Sequence, residues 1–396
     1  LSQQPITTDQ RLVIMDIVRG FALFGILLVN MPALISTGLL RDLYMVPPQY
    51  SGIDAVLRLG LDLFVQGKFY PIFSFLFGWG FYVFMKRAEV KGRSVYFLFT
   101  RRLVFLLALG LIHLIVFWTG DILHTYAIGG FFLLLFYKRK TVTLLVWALL
   151  FFIALYGLYA LEVFFPPPEY QQYVQTRQLI GMEKLDLALK AYQSGSFYEW
   201  FQFRYTHEVM PVLRSFIGPL LGVFPLFLLG LYAGRLDYFT DIFRHKRLFH
   251  VILAGSACLS LPLLVLLFLV NLELVTIGAN IASTRVLLIN VSGMTMSFFY
   301  ISSLVLLCIR QDWEKRLRPL ALVGRMALSN YLGQTLITLL LMFTFNLYGK
   351  LSLWEGVLLS VLVFIIQVIL SHYWLSRYTH GPMEWLWRKW TYVRSS

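Results

Sequence analysis

Residues 141–164 read TVTLLVWALLFFIALYGLYALEVF, and the one charge in them is Glu162, near the end. About 20 consecutive apolar residues are what a helix needs to cross roughly 30 Å of hydrocarbon. A helix satisfies its own backbone hydrogen bonds there, which an irregular segment facing lipid cannot do. Lys138, Arg139 and Lys140 precede this run, and Pro166, Pro167 and Pro168 follow it. A soluble core has no room for many such runs, so the number of them decides the class.

Reading outward, apolar runs separated by polar breaks occur at 13–36, 60–85, 102–119, 121–137, 141–164, 212–233, 249–271, 287–309, 320–345 and 351–374. The expectation is an all-α, polytopic transmembrane helix bundle of about ten spans, forming a single integral membrane domain over 1–396. Its N-terminal half is 11–164 and its C-terminal half 212–396. Composition agrees: 59% of the 396 residues are hydrophobic and only 14% are charged, where a soluble protein has about a quarter charged. The stretch from Leu12 to Leu34 is too long, and too charged at Asp16 and Arg19, for a removable signal peptide. The chain does not open on methionine, and a few residues are expected to precede it. Cys258 and Cys308 both fall inside runs, as packing residues rather than a disulfide or a thiolate metal site.

The net charge of +14 does not point to nucleic acid, because the basic residues are dispersed over short connections. Lys86, Arg87, Lys91, Arg93, Arg101 and Arg102 share one, Lys138 to Lys140 the next. Further basic groups lie at 235–247 and 310–318 and in the tail from Arg377 to Arg394. The alternate connections carry few. Cytoplasmic loops hold the excess of Lys and Arg, so both termini are expected on the cytoplasmic side, facing membrane lipids. An even number of spans keeps that alternation. One long extracytoplasmic loop remains, at 165–211. It reads either as an amphipathic cap on the interface or as a lid over a pocket.

Ionisable groups at membrane depth are costly and mark sites. Asp16 and Arg19 share a helical face, as an ion pair or as a site where Arg19 meets an anion. Asp62 and Lys68 sit with Ser74 in the second run, whose Gly67, Pro71 and Gly78 suggest a broken helix. Lys68 is expected either to pair with Asp62 or Asp54 or to face a substrate. His113 precedes Asp121, His124 and Tyr126, and a histidine at this depth is structural or a general base. Asp121 is alternatively an N-cap. In the stretch 324–331, Arg325 and Ser329, with Asn330 as a further candidate, project toward one side at helical spacing, and Tyr331 and Gln334 lie beyond. Helix packing is the plainer reading. No Walker loop, GxGxxG, HExxH or GxSxG pattern is present, Asn290-Val291-Ser292 is a weak sequon match at a span edge, and no metal site is expected.

These positions together resemble a family. Arg11-Leu12, Asp16, Arg19-Gly20, Ala22 and Asn30 open the match. It continues through Gly67-Lys68-Phe69, Phe73-Ser74-Phe75-Leu76-Phe77-Gly78, Arg101-Arg102, Leu109-Gly110 with His113, and Gly120-Asp121-Ile122-Leu123 with Tyr126. It closes with Gly324-Arg325-Met326-Ala327-Leu328-Ser329-Asn330-Tyr331 and Gly381-Pro382-Met383-Glu384-Trp385-Leu386-Trp387-Arg388. Over nearly its whole length the chain resembles the YeiB family of bacterial inner-membrane proteins, mostly of unknown function. That family is distantly similar to transmembrane acyltransferases of the heparan glucosaminide N-acetyltransferase type.

The resemblance implies a multi-pass protein of the bacterial inner membrane. It also implies an acyl-CoA donor bound from the cytosol, and a small-molecule, lipid or glycan acceptor at the outer face. Such enzymes tend to carry a histidine in or just after the first span, and residues 12–60 contain none. His113 is therefore the base to expect, with Asp121 assisting. Arg19, Arg101 and Arg102 are expected on the donor's phosphates, and Asn330 or Tyr331 at the oxyanion. Two other functions stay open. A transporter of a small or amphipathic solute would also use intramembrane Asp, Lys and His and a broken helix. A non-catalytic lipid-binding protein would account for the missing early histidine. The oligomeric state is open, a homodimer included.

Overall fold

The computed structural model describes residues 8–193 and 196–392. Arg394 of the basic tail lies outside them, as does the side chain of Arg11. Among the described residues every regular element is helical. In chain order they are α1 (Thr8–Ile35), α2 (Gly38–Leu43), α3 (Gly52–Phe64), α4 (Phe69–Val90), α5 (Val95–Ile112), a π-helical turn (His113–Phe117), α6 (Leu123–Leu134) and α7 (Thr141–Phe164). Then follow α8 (Tyr170–Gln193), α9 (Phe197–Arg204), a second π-helical turn (Tyr205–Val209), α10 (Met210–Arg214), α11 (Ile217–Arg235), α12 (Lys246–Asn271) and α13 (Ile281–Cys308). The chain closes with α14 (Gln311–Arg325), α15 (Ala327–Thr344), α16 (Leu353–Arg377) and α17 (Pro382–Tyr392).

Among the described residues eight helices are long and apolar enough to cross a membrane: α1 from Val13, α5 with its π turn, α7, α11, α12, α13, α15 and α16. Two of the ten expected runs fall outside that set. The run at 60–85 is broken between α3 and α4, where Gly67 takes φ +78°, a conformation open to glycine because it lacks a Cβ. Pro71 follows in the first turn of α4, where its missing N–H costs nothing. The run at 121–137 contributes only the 12 residues of α6. The run at 320–345 is two helices, α14 and α15, joined at Met326.

The first helix is the axis of the bundle. One side of it, Ile14, Ile17 and Val18, packs with Ile72, Phe75 and Val305, and another, Leu23, Leu27 and Met31, packs with Val323, Tyr331 and Phe364. It meets α14 almost backbone to backbone. A side chain on Gly20 would run into the carbonyl of Leu320, and one on Gly324 into the carbonyl of Asp16. Small residues that let helix backbones close up are how helices associate in lipid, where apolar burial gives little drive.

The segment between α7 and α11 is helical, as its aromatic spacing suggests. Ser196 and Glu199 form a reciprocal cap at the start of α9. Leu185 and Ala188 of α8 pack with Phe203 and with Leu40 of α2.

Candidate functional site

The π turn positions the first group. A side chain at Gly110 would collide with the backbone of Leu123 and His124, so this glycine lets the end of α5 lie against the start of α6. The π turn then carries the chain to an extended Trp118; single π turns are frequent at functional sites. Across this junction His113 Nδ1 lies 2.8 Å from Asp121 Oδ2. The other carboxylate oxygen, Oδ1, accepts the backbone N–H of His124 and lies 3.1 Å from His124 Nδ1. Asp121 thus acts both as a helix-start acceptor and as the partner of two imidazoles, and all three side chains are buried.

The bonding assigns tautomers. An ionised carboxylate only accepts, so both Nδ1 atoms donate to it, and in the neutral form of each ring Nε2 is left as the acceptor. His124 Nε2 is met by the Thr125 hydroxyl at 3.3 Å. His113 Nε2 is buried and has no hydrogen-bond partner among the described residues. The ring of His113 lies against Tyr331, with centroids 5.5 Å apart.

Tyr331 also lines a cavity of about 310 Å³ between α1, α4, α5, α6, α14, α15 and α17. Arg19, Arg102, Arg325 and Glu384 form one end of it. Its walls include Phe73, Phe77, Leu103 and Leu106, and Tyr126 and Tyr331 lie at the other end. At 1.5 Å of rise per residue, Arg19 and Ile26 on α1 place those ends about 10 Å apart. His113 does not line this cavity; Tyr331 stands between.

The arginine end is built by α17. Trp387 donates to the carbonyl of Arg102 at 3.0 Å, and the Arg102 guanidinium lies 3.8 Å from its ring centre. Trp390 and Arg101 exchange hydrogen bonds through their backbone carbonyls, so Arg101 braces the helix outside the cavity. Glu384 accepts the N–H groups of Leu328 and Ser329 and the Ser329 hydroxyl. Arg19 pairs with Asp16 at 2.7 Å, and Arg325 donates to the carbonyl of Thr379. Neither Arg102 nor Arg325 is in an ion pair with a described residue.

Several expected positions lie elsewhere. Asn330 donates to Val323 and Ser371, and Gln334 bonds Gln367 and the carbonyl of Leu23. Both are helix-to-helix ties away from the cavity, so Asn330 does not face the position expected of an oxyanion donor. Arg325 and Ser329 both meet the 379–384 segment, whereas Asn330, five residues from Arg325 and so about 140° around a helix, faces Ser371. Lys68 is fully buried, but its Nζ meets the carbonyl of Asp62 at 2.7 Å and the Ser292 hydroxyl at 3.3 Å. The carboxylate of Asp62 pairs with Arg58, and that of Asp54 caps the start of α16. The expected Lys68 ion pair is therefore replaced by backbone and hydroxyl contacts. Ser74 and Tyr126 place their hydroxyls 2.8 Å apart. Asn30 is half-buried on α1 and lines neither this cavity nor the His113 cluster.

A second buried cluster lies beside the first π turn. Arg204 is fully buried and donates to the carbonyls of Leu114, Ile115 and Val116, the open end of the first π turn, and to the Thr119 hydroxyl. Glu208 accepts from Thr119, Tyr192 and Arg204. Burial pushes its carboxyl above the usual glutamate range, and Arg204 offsets this only in part. The separation of four between Arg204 and Glu208 was the one local signal.

These long apolar helices, enclosing charged groups on several of them, make this a multi-pass membrane protein of the all-helical class. The chain belongs to the YeiB family. It is 32% identical to the uncharacterized protein YxaH of Bacillus subtilis (strain 168), an alignment covering 99% of this chain and 97% of that one. An uncharacterized 39.9 kDa protein from the amylase 3' region of Bacillus acidopullulyticus is 31% identical over 98% of the chain and 96% of its own length. The uncharacterized protein YeiB of Escherichia coli (strain K12) is 26% identical over 96% of each. Residues 233–394 match the family described as protein of unknown function, DUF418.

Proposed function

We propose that this protein is a membrane acyltransferase that takes its acyl group from an acyl-CoA. The observation that carries the reading is the cavity: guanidinium groups at one end, apolar walls, and at the other end Tyr331, backed by His113. Arginine forks suit phosphate oxygens, and an apolar wall suits an acyl chain. An acceptor hydroxyl or amine that reaches His113 Nε2 past Tyr331 loses its proton to it, and its heteroatom bonds to the carbonyl carbon of a thioester seated in the cavity. The carbon–sulfur bond then breaks, and the proton passes from His113 to the departing thiolate. Asp121 holds the imidazole in the tautomer that leaves Nε2 basic, and stabilises the imidazolium. Tyr331, between His113 and the cavity, supplies the hydroxyl nearest the reacting carbonyl.

The helix break at Gly67, with buried Lys68 beside it, favours a second reading, a carrier of a small or amphipathic solute. One experiment separates the two. The protein is purified in detergent, binding of acetyl-CoA and palmitoyl-CoA is measured, and thiol release is followed with a sugar, a lipid or an amine as acceptor. Saturable binding lost in Arg102→Ala, with thiol release lost in His113→Asn, supports the transferase. No binding of either thioester, with solute uptake into liposomes, overturns it in favour of the carrier.

A further inference from the structure

At the end of the bundle away from the arginine rim lies a second cavity, of about 680 Å³. It is a half-open cavity between the end of α1, α2, the turn that follows it, α3, α8 and the start of α16. That volume is within the range of small-molecule sites. Its walls are held from several sides. Arg177 and Gln178 of α8 donate to the carbonyls of Leu43 and Met45 at 2.7 and 2.9 Å. The carboxylate of Asp54 is occupied by the N–H groups of Leu353 and Trp354 at 3.2 and 3.0 Å. Pro47 and Pro48 stiffen the connecting turn.

Two side chains on this wall are not used in that way. Arg41 on α2 and Asp186 on α8 both line the cavity. Neither is in an ion pair, with each other or with another described residue, and neither has a side-chain hydrogen bond within the described chain. Arg41 is half-buried and Asp186 exposed, so pairing with each other would gain them little. Held apart here by α2 and α8, they are complementary to a ligand that carries both signs. Thr37 and Tyr50 add hydroxyls, and Leu185 and Leu353 an apolar side.

We propose that this cavity binds a small zwitterion, an amino-acid-like solute whose carboxylate meets Arg41 and whose ammonium meets Asp186. This goes beyond the acyl-transfer reading and does not depend on it, since the site shares no lining residue with the first cavity. A guanidinium fork takes a carboxylate through two parallel hydrogen bonds, and an aspartate accepts from an ammonium. A singly charged ligand satisfies one group and leaves the other unmet.

The test is equilibrium binding to the full-length protein in detergent. The probes are the standard amino acids and 4-aminobutyrate, set against propionate, propylamine and sorbitol. Saturable binding is expected for at least one zwitterion, and none at matched concentration for the three controls. Arg41→Gln and Asp186→Asn should each weaken that binding about tenfold or more, the usual scale for a lost charge-assisted hydrogen bond. Acyl-CoA binding at the other cavity should be unchanged, so a failure here is distinct from a failure there. No zwitterion binding to folded wild-type protein overturns the proposal, as does equal binding of sorbitol. Unchanged affinity in Asp186→Asn, whose side chain is exposed and anchors nothing, overturns it even if Arg41→Gln fails to fold.

Discussion

His113 and Asp121, eight residues apart, meet through Nδ1 and Oδ2 at 2.8 Å across the junction of α5 and α6. The same carboxylate holds His124, so one buried charge fixes two imidazoles. Of the two, only His113 keeps an Nε2 without a partner. Asp121→Asn, which preserves shape but not the acceptor pair, should lower thiol release by about 10²–10⁴-fold, the range of general-base contributions. Acyl-CoA affinity should hardly change, because neither residue lines the arginine end. Turnover retained within about tenfold in that variant would show that the pair is not catalytic.

On the acyl-transfer reading, the stacking of Arg102 on Trp387 would present an acyl-CoA with a pre-oriented guanidinium. Arg102→Ala should raise the dissociation constant for acyl-CoA about tenfold or more, and Arg102→Lys should recover little of it, because an ammonium neither stacks nor forks in the same way. Titration calorimetry on the three proteins gives the comparison. Full recovery by lysine would mean that only charge is read.

Glu384 closes the first turn of α15 and anchors α17 through Ser329. Replacing a helix-start acceptor costs about 1 kcal/mol. Glu384→Ala should accordingly lower the Tm and leave α17 more open to proteolysis between Arg377 and Arg388. Equal cleavage rates in variant and wild type would place the hold on α17 elsewhere, in the tryptophan contacts with α5.

The Gly20–Gly324 approach leaves no room for a side chain. Gly324→Leu should cost about 1–3 kcal/mol or more through overpacking. It should also weaken acyl-CoA binding, since Arg19 and Arg325 flank that contact. Thermal denaturation and donor binding should fall together; a normal Tm would mean that α1 and α14 can part without cost.

Glu208 makes stability depend on pH with a definite sign. Burial raises its carboxyl above the ordinary value of 4.5. A group that holds its proton more tightly when folded adds stability that is complete below the unfolded value and is lost as pH rises through the folded one. The Tm of wild type relative to Glu208→Gln should therefore increase as pH falls from about 7 toward 4.5. A difference that shrinks over that range would mean that Arg204 outweighs burial.

How much of this was legible follows from distance along the chain. The 141–164 run and the Asp16–Arg19 pair are local, governed by hydropathy over one helix and by a spacing of three. Both appear in the structure as the sequence suggests. The break at Gly67 carried its own glycine and proline. The turn at Met326 carries no such mark, and the partners of Asn330, Val323 and Ser371, come from tertiary packing. The docking of Trp387 on Arg102 joins residues 285 apart. Arg204 read as one charge among many on an amphipathic segment. Only the tertiary arrangement shows that it closes the end of the turn beginning at His113.

The crossing of α1 with α14 also bears on biogenesis. The first cavity takes Arg19 from the first helix and Trp387 from the last, so no shorter nascent chain can complete it. While the ribosome is still threading the middle spans into the bilayer, Arg19 and Arg102 have neither Arg325 nor α17 across from them. The two halves must wait for one another, and the C-terminal region 233–394 expressed alone would hold the rim of a vessel without its floor.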